Sequence, residues 1–388
     1  MSIFRNKDTV EEFWDNSILA QVSSTAKDVH HQKFLGCIGD FLGVKGKLWP
    51  TPSARVALKW VLQGAPTGAR KVVLASSFNC AAVGSAVRAA GFLLETFDIA
   101  SNTGQIDWQK VATRLNSNHR ALIIPHLFGV PTDFRPILET CQRHGIFIIE
   151  DCAHTFGGRL DGQMAGSIAD AAIFSFNYDK PLSLGWGGVL LMNDPKLATQ
   201  FAPPEIETPS MAWEQEQMRL FTGYLAFRRR MIHRTHLLHR LWRRFRSSNK
   251  FTMPATGFGP LRSALGIWQL EHYDHVMAIR NQHANQIKTF AQGNHTWHVD
   301  PAVTPAWLKQ KIMTHSPQYG LKAAKQLCRM GLRVNNYNWP KLLVGDVNET
   351  EKPYSQAVAQ YSIDIPIHQN LQATEITTIC RMMNGSKS

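Results

Sequence analysis

Residues 171–193 read AAIFSFNYDKPLSLGWGGVLLMN. Two apolar runs, 171–176 and 187–193, flank a segment that carries one lysine, Lys180, and the glycines Gly185, Gly187 and Gly188. Short apolar runs bounded by turn residues read as buried strands. Working upstream, IFIIEDCA (146–153), RALIIPHLFG (120–129), FLLETFDI (92–99) and KVVLAS (71–76) repeat the pattern. A helical segment at 53–63 precedes them, and others at 81–91 and 135–145 lie between them. Alternation of apolar strands with helices predicts an α/β fold, its sheet mainly parallel and covered on both faces.

Ligands on such sheets bind at the carboxyl ends of the strands. Asp151 and Lys180 both fall there, each just past an apolar run. A carboxylate behind IFII is costly without a charged or hydrogen-bonded partner. A lysine amine and a deep carboxylate suit pyridoxal phosphate, which needs a nucleophilic amine and an anion at its pyridine nitrogen. A structural Asp–Lys ion pair accounts for the same two residues equally well. Ser53, just after Pro52 and at the start of SARVALKWVLQ, reads as an N-cap; a helix start of this kind also offers an anion site. Ser175 could add a second hydroxyl. Phe78, in a loop after a strand, is either core or a flat partner for an aromatic ligand.

At 388 residues, with 44% apolar and 10% aromatic residues, the chain is large enough for two packed domains. The reading divides it into a lead-in (1–50), a large cofactor-binding domain (51–210), a basic helical elaboration (211–250), and a linking helix with a small C-terminal domain (251–388). The linking helix is expected as one element over 262–287. Six cysteines at 37, 80, 141, 152, 328 and 380 show no metal-type spacing, which fits reduced, mostly buried thiols and no metal site. The first residues lack an apolar core for a secretory signal, so a cytoplasmic location is expected. Much of the net charge of +13 lies in Phe227–Lys250. So local a charge argues against nucleic-acid coating. Over 220–245 it predicts a basic amphipathic helix or helix pair, and an anionic membrane is one partner that would fit it.

The stretch from PHLFGVPTDF (125–134) through IIEDCAHTFGG and FSFNYDK to GGVLLMND (187–194) resembles the signature region of the DegT/StrS sugar-aminotransferase family. The family belongs to the fold-type-I pyridoxal-phosphate enzymes. The resemblance implies a three-layer fold with a mainly parallel sheet and a smaller C-terminal α+β domain. It gives Lys180 the Schiff-base role, Asp151 the pyridine nitrogen, and Ser175 a phosphate contact. Ser53 and Ala54 resemble the phosphate turn, Phe78 the ring-stacking position, and His154 the residue facing the phenolic oxygen. It further implies a homodimer, glutamate as amino donor and a nucleotide-linked keto-sugar as acceptor, in glycan or natural-product biosynthesis. Two departures stand out. The family's asparagine–aromatic–arginine element, which reaches a neighbouring subunit's phosphate, is not readable in PATGFGPLRSALG (254–266), and 227–250 is an added basic segment. The competing readings are other pyridoxal-phosphate chemistry on a non-nucleotide acceptor, and a non-catalytic scaffold of this fold docking on a membrane. Retention of Lys180 argues against the family's dehydratase branch, which replaces that lysine.

Overall fold

A computed structural model describes residues 16–26, 29–232, 254–290, 296–329 and 342–384. Among the described residues, nine strands and seven α-helices precede residue 201: α1 (Asn16–Thr25), α2 (His31–Leu42), β1 (Lys47–Thr51), α3 (Ala54–Gly64), β2 (Val72–Ser76), α4 (Ala81–Ala89), β3 (Leu93–Phe97), α5 (Trp108–Ala112), β4 (His119–Pro125), α6 (Leu138–His144), β5 (Phe147–Asp151), β6 (Arg159–Leu160), β7 (Gln163–Met164), β8 (Ala171–Ser175), β9 (Gly188–Met192) and α7 (Pro195–Gln200). Seven of the strands form one sheet in the order β1-β9-β8-β5-β4-β2-β3. β2, β3, β4, β5 and β8 pair in parallel. β9 runs against its neighbours β8 and β1.

Why these runs become strands follows from their burial. All five residues of β5, β8 and β9 are buried. Separate apolar layers cover the two faces: one is built on Leu58, Val73, Ile123 and Leu190, the other on Leu74, Leu122, Ile124 and Ile148. α3 starts where the sequence indicates. Ser53 has extended backbone, and its Oγ accepts the Val56 N–H at 3.3 Å. β1 lies in what reads as lead-in. It is an edge strand, where Pro50 removes no needed donor.

The chain continues with α8 (Met211–Ile232), α9 (Pro260–Glu271), α10 (Tyr273–Phe290), β10 (Val303–Thr304), β11 (Lys309–Met313), α11 (Pro317–Arg329), α12 (Pro353–Tyr361), β12 (Ser362–Pro366) and α13 (Ala373–Asn384). β11 and β12 form a separate antiparallel pair. The single helix expected over 262–287 is corrected to two, α9 and α10. His272 between them leaves helical geometry (φ −107°, ψ 2°), and the buried Tyr273 hydroxyl donates to the Phe156 carbonyl at 2.6 Å, fixing the chain there. α8 bears out helical character from 211 to 232. The rest of the expected basic helix, with Arg240, Trp242, Arg243, Arg244 and Phe245, lies outside the described residues. Among the described residues no helix is long and apolar enough to cross a membrane.

Candidate active site

β8 and β9 extend past their formal ends as a hairpin. Phe176 N–H donates to the Gly187 carbonyl (3.0 Å), Leu184 N–H to Phe176 (2.9 Å) and Tyr178 N–H to Gly185 (3.2 Å). Lys180 sits at the tip, its N–H on the Asn177 carbonyl at 3.0 Å. The glycines make this hairpin feasible. Gly185 and Gly187 have φ of 83° and 103°, where side chains are strained. A Cβ on Gly188 would lie 2.7 Å from the Ala54 nitrogen, so only glycine lets β9 run against the start of α3.

Helix α9 buttresses the tip from behind. Gln269 is buried, accepts the Ser183 N–H (2.9 Å) and donates to the Ser183 carbonyl (2.7 Å). Arg262 donates to the Trp186 carbonyl at 3.3 Å and lies 4.4 Å over the Trp186 ring. Its own charge is met by Glu214 of α8 at 2.7 Å, both side chains fully buried. Glu214 also accepts the Gly259 and Arg262 N–H groups at 2.8 and 3.1 Å, capping α9.

Lys180 opens into a cavity of about 700 Å³ that is also lined by Ser53, Ala54, Asp151, His154 and Ser175. Six of the seven residues singled out from sequence thus meet at one place, from β5, β8, the hairpin tip and α3. Phe78 is the exception: it does not line the cavity. Its ring is fully buried, stacked on Trp297 at 5.5 Å and tilted against Phe128 at 6.3 Å. The Lys311 ammonium lies 5.5 Å over it. A tryptophan distant in sequence and a buried cation lie against that ring.

Asp151 is 7% exposed and accepts the Ala153 N–H at 3.1 Å. Burial raises its carboxyl above the usual range, and the Ala153 bond, Lys180 and His126 oppose this in part. Burial, then the charges of Lys180 and Lys309, push the His154 imidazole well below the usual histidine range. Its Nδ1 accepts the Phe128 N–H at 3.5 Å, which assigns the ring proton to Nε2. Phe128 adopts φ 62°, an unusual conformation for an aromatic residue, and its carbonyl accepts the Leu308 and Lys309 N–H groups at 2.9 and 3.3 Å.

Lys180 Nζ lies 3.7 Å from Asp179 Oδ1. Beneath Asp151, Glu150 accepts the N–H groups of Gly166, Ile168 and Ala169 (2.7–2.9 Å) and pairs with His126 Nε2 at 2.9 Å. His126, Glu150 and Cys152 cluster closely enough to resemble ligands. The Glu150 acceptor sites are already used within the protein, however, which makes the group a rigid floor for the site.

With this geometry in place, similarity to known proteins is decisive. The sequence profile of the DegT/DnrJ/EryC1/StrS aminotransferase family matches residues 17–384. The chain belongs to this family. It is 28% identical over 171 residues to the L-glutamine:2-deoxy-scyllo-inosose aminotransferase of Streptomyces fradiae, covering 44% of this chain and 40% of that protein. It is 26% identical over 254 residues to the GDP-perosamine synthase of Caulobacter vibrioides, covering 64% and 58%. The matched stretches thus span about two fifths to three fifths of these relatives. Among solved structures, DesI in the presence of its TDP-sugar product has a TM-score of 0.72 at 18% identity, covering 99% of this chain and 93% of that one. The fold is that of the fold-type-I aminotransferases.

As a DegT/DnrJ/EryC1/StrS member, the chain has site features that sequence reasoning missed. Arg55 and Lys309 also line the cavity. Arg55 was within reach, two residues past the N-cap that the sequence marks. Lys309 was not: it enters on β11, in a segment (KQKIM) whose polarity does not read as a buried strand. Arg262 lies in the segment expected to carry the family's phosphate-reaching element, yet it is held by Glu214 inside the protein.

Proposed function

We propose that this chain is a pyridoxal-phosphate-dependent aminotransferase. It moves an amino group from glutamate to a nucleotide-linked keto-sugar, in the cytoplasm and as a homodimer, in glycan or natural-product biosynthesis. The observation that carries the reading is the convergence of the Lys180 amine, the Asp151 carboxylate and the Ser53 and Ser175 hydroxyls on one cavity. The donor set fits the cofactor group by group. An amine is set for its aldehyde, a carboxylate for its ring nitrogen, and hydroxyls with helix-start amides for its phosphate. Ser175 is 7% exposed, lines the cavity, and its hydroxyl bonds no described residue, which leaves it able to donate to a phosphate.

When bound, the cofactor supplies an electron sink for breaking bonds at the substrate's amine-bearing carbon. Lys180 acts twice: Nζ binds the cofactor as nucleophile and, once displaced by the amino donor, carries the proton at that carbon. The tip of the hairpin, clamped by Gln269, keeps Nζ in reach for both tasks. Asp151 stabilises a proton on the ring nitrogen. Burial makes its isolated charge costly, which strengthens its preference for a cation opposite. His154, kept neutral, donates from Nε2 to an anionic oxygen. Phe78, buried against Trp297, is given no ring-stacking part.

The sugar-nucleotide part of the proposal leans on the printed names GDP-perosamine synthase and DesI with its TDP-sugar product. A second reading, a non-nucleotide acceptor, is favoured by the inosose aminotransferase, whose name specifies L-glutamine as donor. The test has two stages. Borohydride reduction of the cofactor-loaded protein and peptide mapping should label Lys180; a label on another lysine refutes the site. Incubation with GDP- and TDP-linked keto-sugars or with inososes, each with glutamate or glutamine, then identifies donor and acceptor by the mass of the amine formed. Amination of inososes alone would refute the nucleotide-linked acceptor.

A further inference from the structure

Arg55 is an exposed cation in the first turn of α3, on the wall of the Lys180 cavity. No described residue forms a hydrogen bond, ion pair or ring contact with it. Within the protein alone its place is electrostatically unfavourable. A helix N-terminus carries a partial positive charge, which favours acidic side chains and disfavours cations. The first turn of α3 contains no acidic residue to offset it.

The surroundings supply what would reverse that balance. Ser53 Oγ takes the Val56 N–H, while helix geometry leaves the amides of Ala54 and Arg55 without intrahelical partners. Gly188 has no Cβ to crowd the Ala54 nitrogen, where one would lie 2.7 Å away. The same cavity is lined by Ser175, more than nine-tenths buried and with a hydroxyl bonded to no described group. The Ser175 hydroxyl and the Arg55 side chain thus line one cavity with the start of α3, and neither is bonded to a described residue. Arg262, the arginine of the 254–266 segment, is committed to Glu214 and Trp186 and cannot serve there.

We infer that Arg55 is the cation of a phosphate subsite at the start of α3, binding the dianionic end of the cofactor together with Ser53 and Ser175. A guanidinium suits that task because its planar fork meets two phosphate oxygens at once. The inference rests on the cofactor reading above for the identity of the anion, and it adds the residue that sets the affinity for that anion.

The test uses full-length protein stripped of cofactor, titrated with pyridoxal phosphate and, separately, with pyridoxal, which lacks the phosphate. Binding is read by absorbance and tryptophan fluorescence, not by turnover. Arg55→Gln should weaken pyridoxal phosphate by about tenfold or more and leave pyridoxal unchanged. Arg55→Lys, which keeps the charge and loses the fork, should fall between. Lys59→Gln, a charge-matched change on the same helix, should behave as wild type. Inorganic phosphate should compete with pyridoxal phosphate in wild type and lose that effect in Arg55→Gln. An equal loss for both ligands, no loss for either, or the same loss in Lys59→Gln would overturn the inference. Borohydride mapping of the wild type is independent of these outcomes. A label away from Lys180 would sink the catalytic assignment, whereas a loss of phosphate discrimination reports on Arg55 alone.

Discussion

Glu214→Gln removes one charge of the Glu214–Arg262 pair and almost no volume. In the native protein both side chains are fully buried, the ions are 2.7 Å apart, and the carboxylate also accepts two backbone N–H groups of α9. The substitution leaves the Arg262 guanidinium in the interior without its counter-ion. Breaking a buried pair in this way costs about 3–5 kcal/mol. The aromatic faces of Trp186 (4.4 Å) and Phe258 (5.4 Å) remain, and each contact of this kind returns about 0.5–2 kcal/mol. The lower end of the range, about 3 kcal/mol, is therefore expected. Against a total stability of about 5–15 kcal/mol that is a large fraction. Urea unfolding followed by fluorescence measures it. The double variant Glu214→Leu, Arg262→Met, apolar on both sides, should recover most of the loss, because the cost lies in the unpaired charge. A loss below about 1 kcal/mol in Glu214→Gln, or a double variant no better than the single, would refute the reasoning. Because Arg262 also holds the Trp186 carbonyl, Glu214→Gln should in addition slow borohydride-detectable loading of Lys180.

Two further substitutions probe the cavity. Asp151→Asn should retain cofactor and lose turnover by orders of magnitude, since a neutral amide cannot hold the ring-nitrogen proton; near-normal turnover would end that role. Burial raises the Asp151 carboxyl, so its contribution is favourable below about 3.8 and becomes a cost once pH rises through the folded value. Cofactor-free Asp151→Asn should therefore melt above cofactor-free wild type at pH 7, and a lower melting temperature would contradict the burial argument. His154 is shifted down, so the unfolded chain takes up a proton that the folded chain refuses as pH falls below 6.5. The stability tied to this residue is present above that pH and lost below it. Thermal melts of His154→Gln should show a flatter decline from pH 6.5 to 5 than wild type; superimposable profiles would rule this out.

Much of the sheet was legible because parallel strands buried on both faces need apolar centres, and 72–75, 121–125 and 146–149 are apolar runs. Lys180 and Asp151 were legible for the converse reason: each is a charge at the end of such a run. β1 was not, since KLWPT carries a proline and a lysine that only an edge position tolerates. The break at His272 was hidden because apolar periodicity runs through it; a hydroxyl bond to residue 156 decides it. Phe78 was misplaced because nothing local announces Trp297 or Lys311 as its neighbours. Lys311 itself, 2% exposed, is accommodated by Asp364 at 2.7 Å and by two aromatic faces, contributed from 78 and 128. Such partners are far away in sequence, and periodicity is blind to them.

The pairing of β1 with β9 also bears on the order of events during synthesis. Lys47 lies opposite Met192 and Thr51 opposite Gly188, while Ser53 bridges Gly187. On the ribosome, the segment leading into α3 emerges long before the strand that anchors it. Contacts so distant along the chain form late, after the loop between them has been closed at an entropic cost. Until residues 187–192 are out and docked, the start of α3 lacks the β9 side of its packing. A nascent chain stalled before that point should hold the start of α3 less firmly, however complete β2 to β5 are by then.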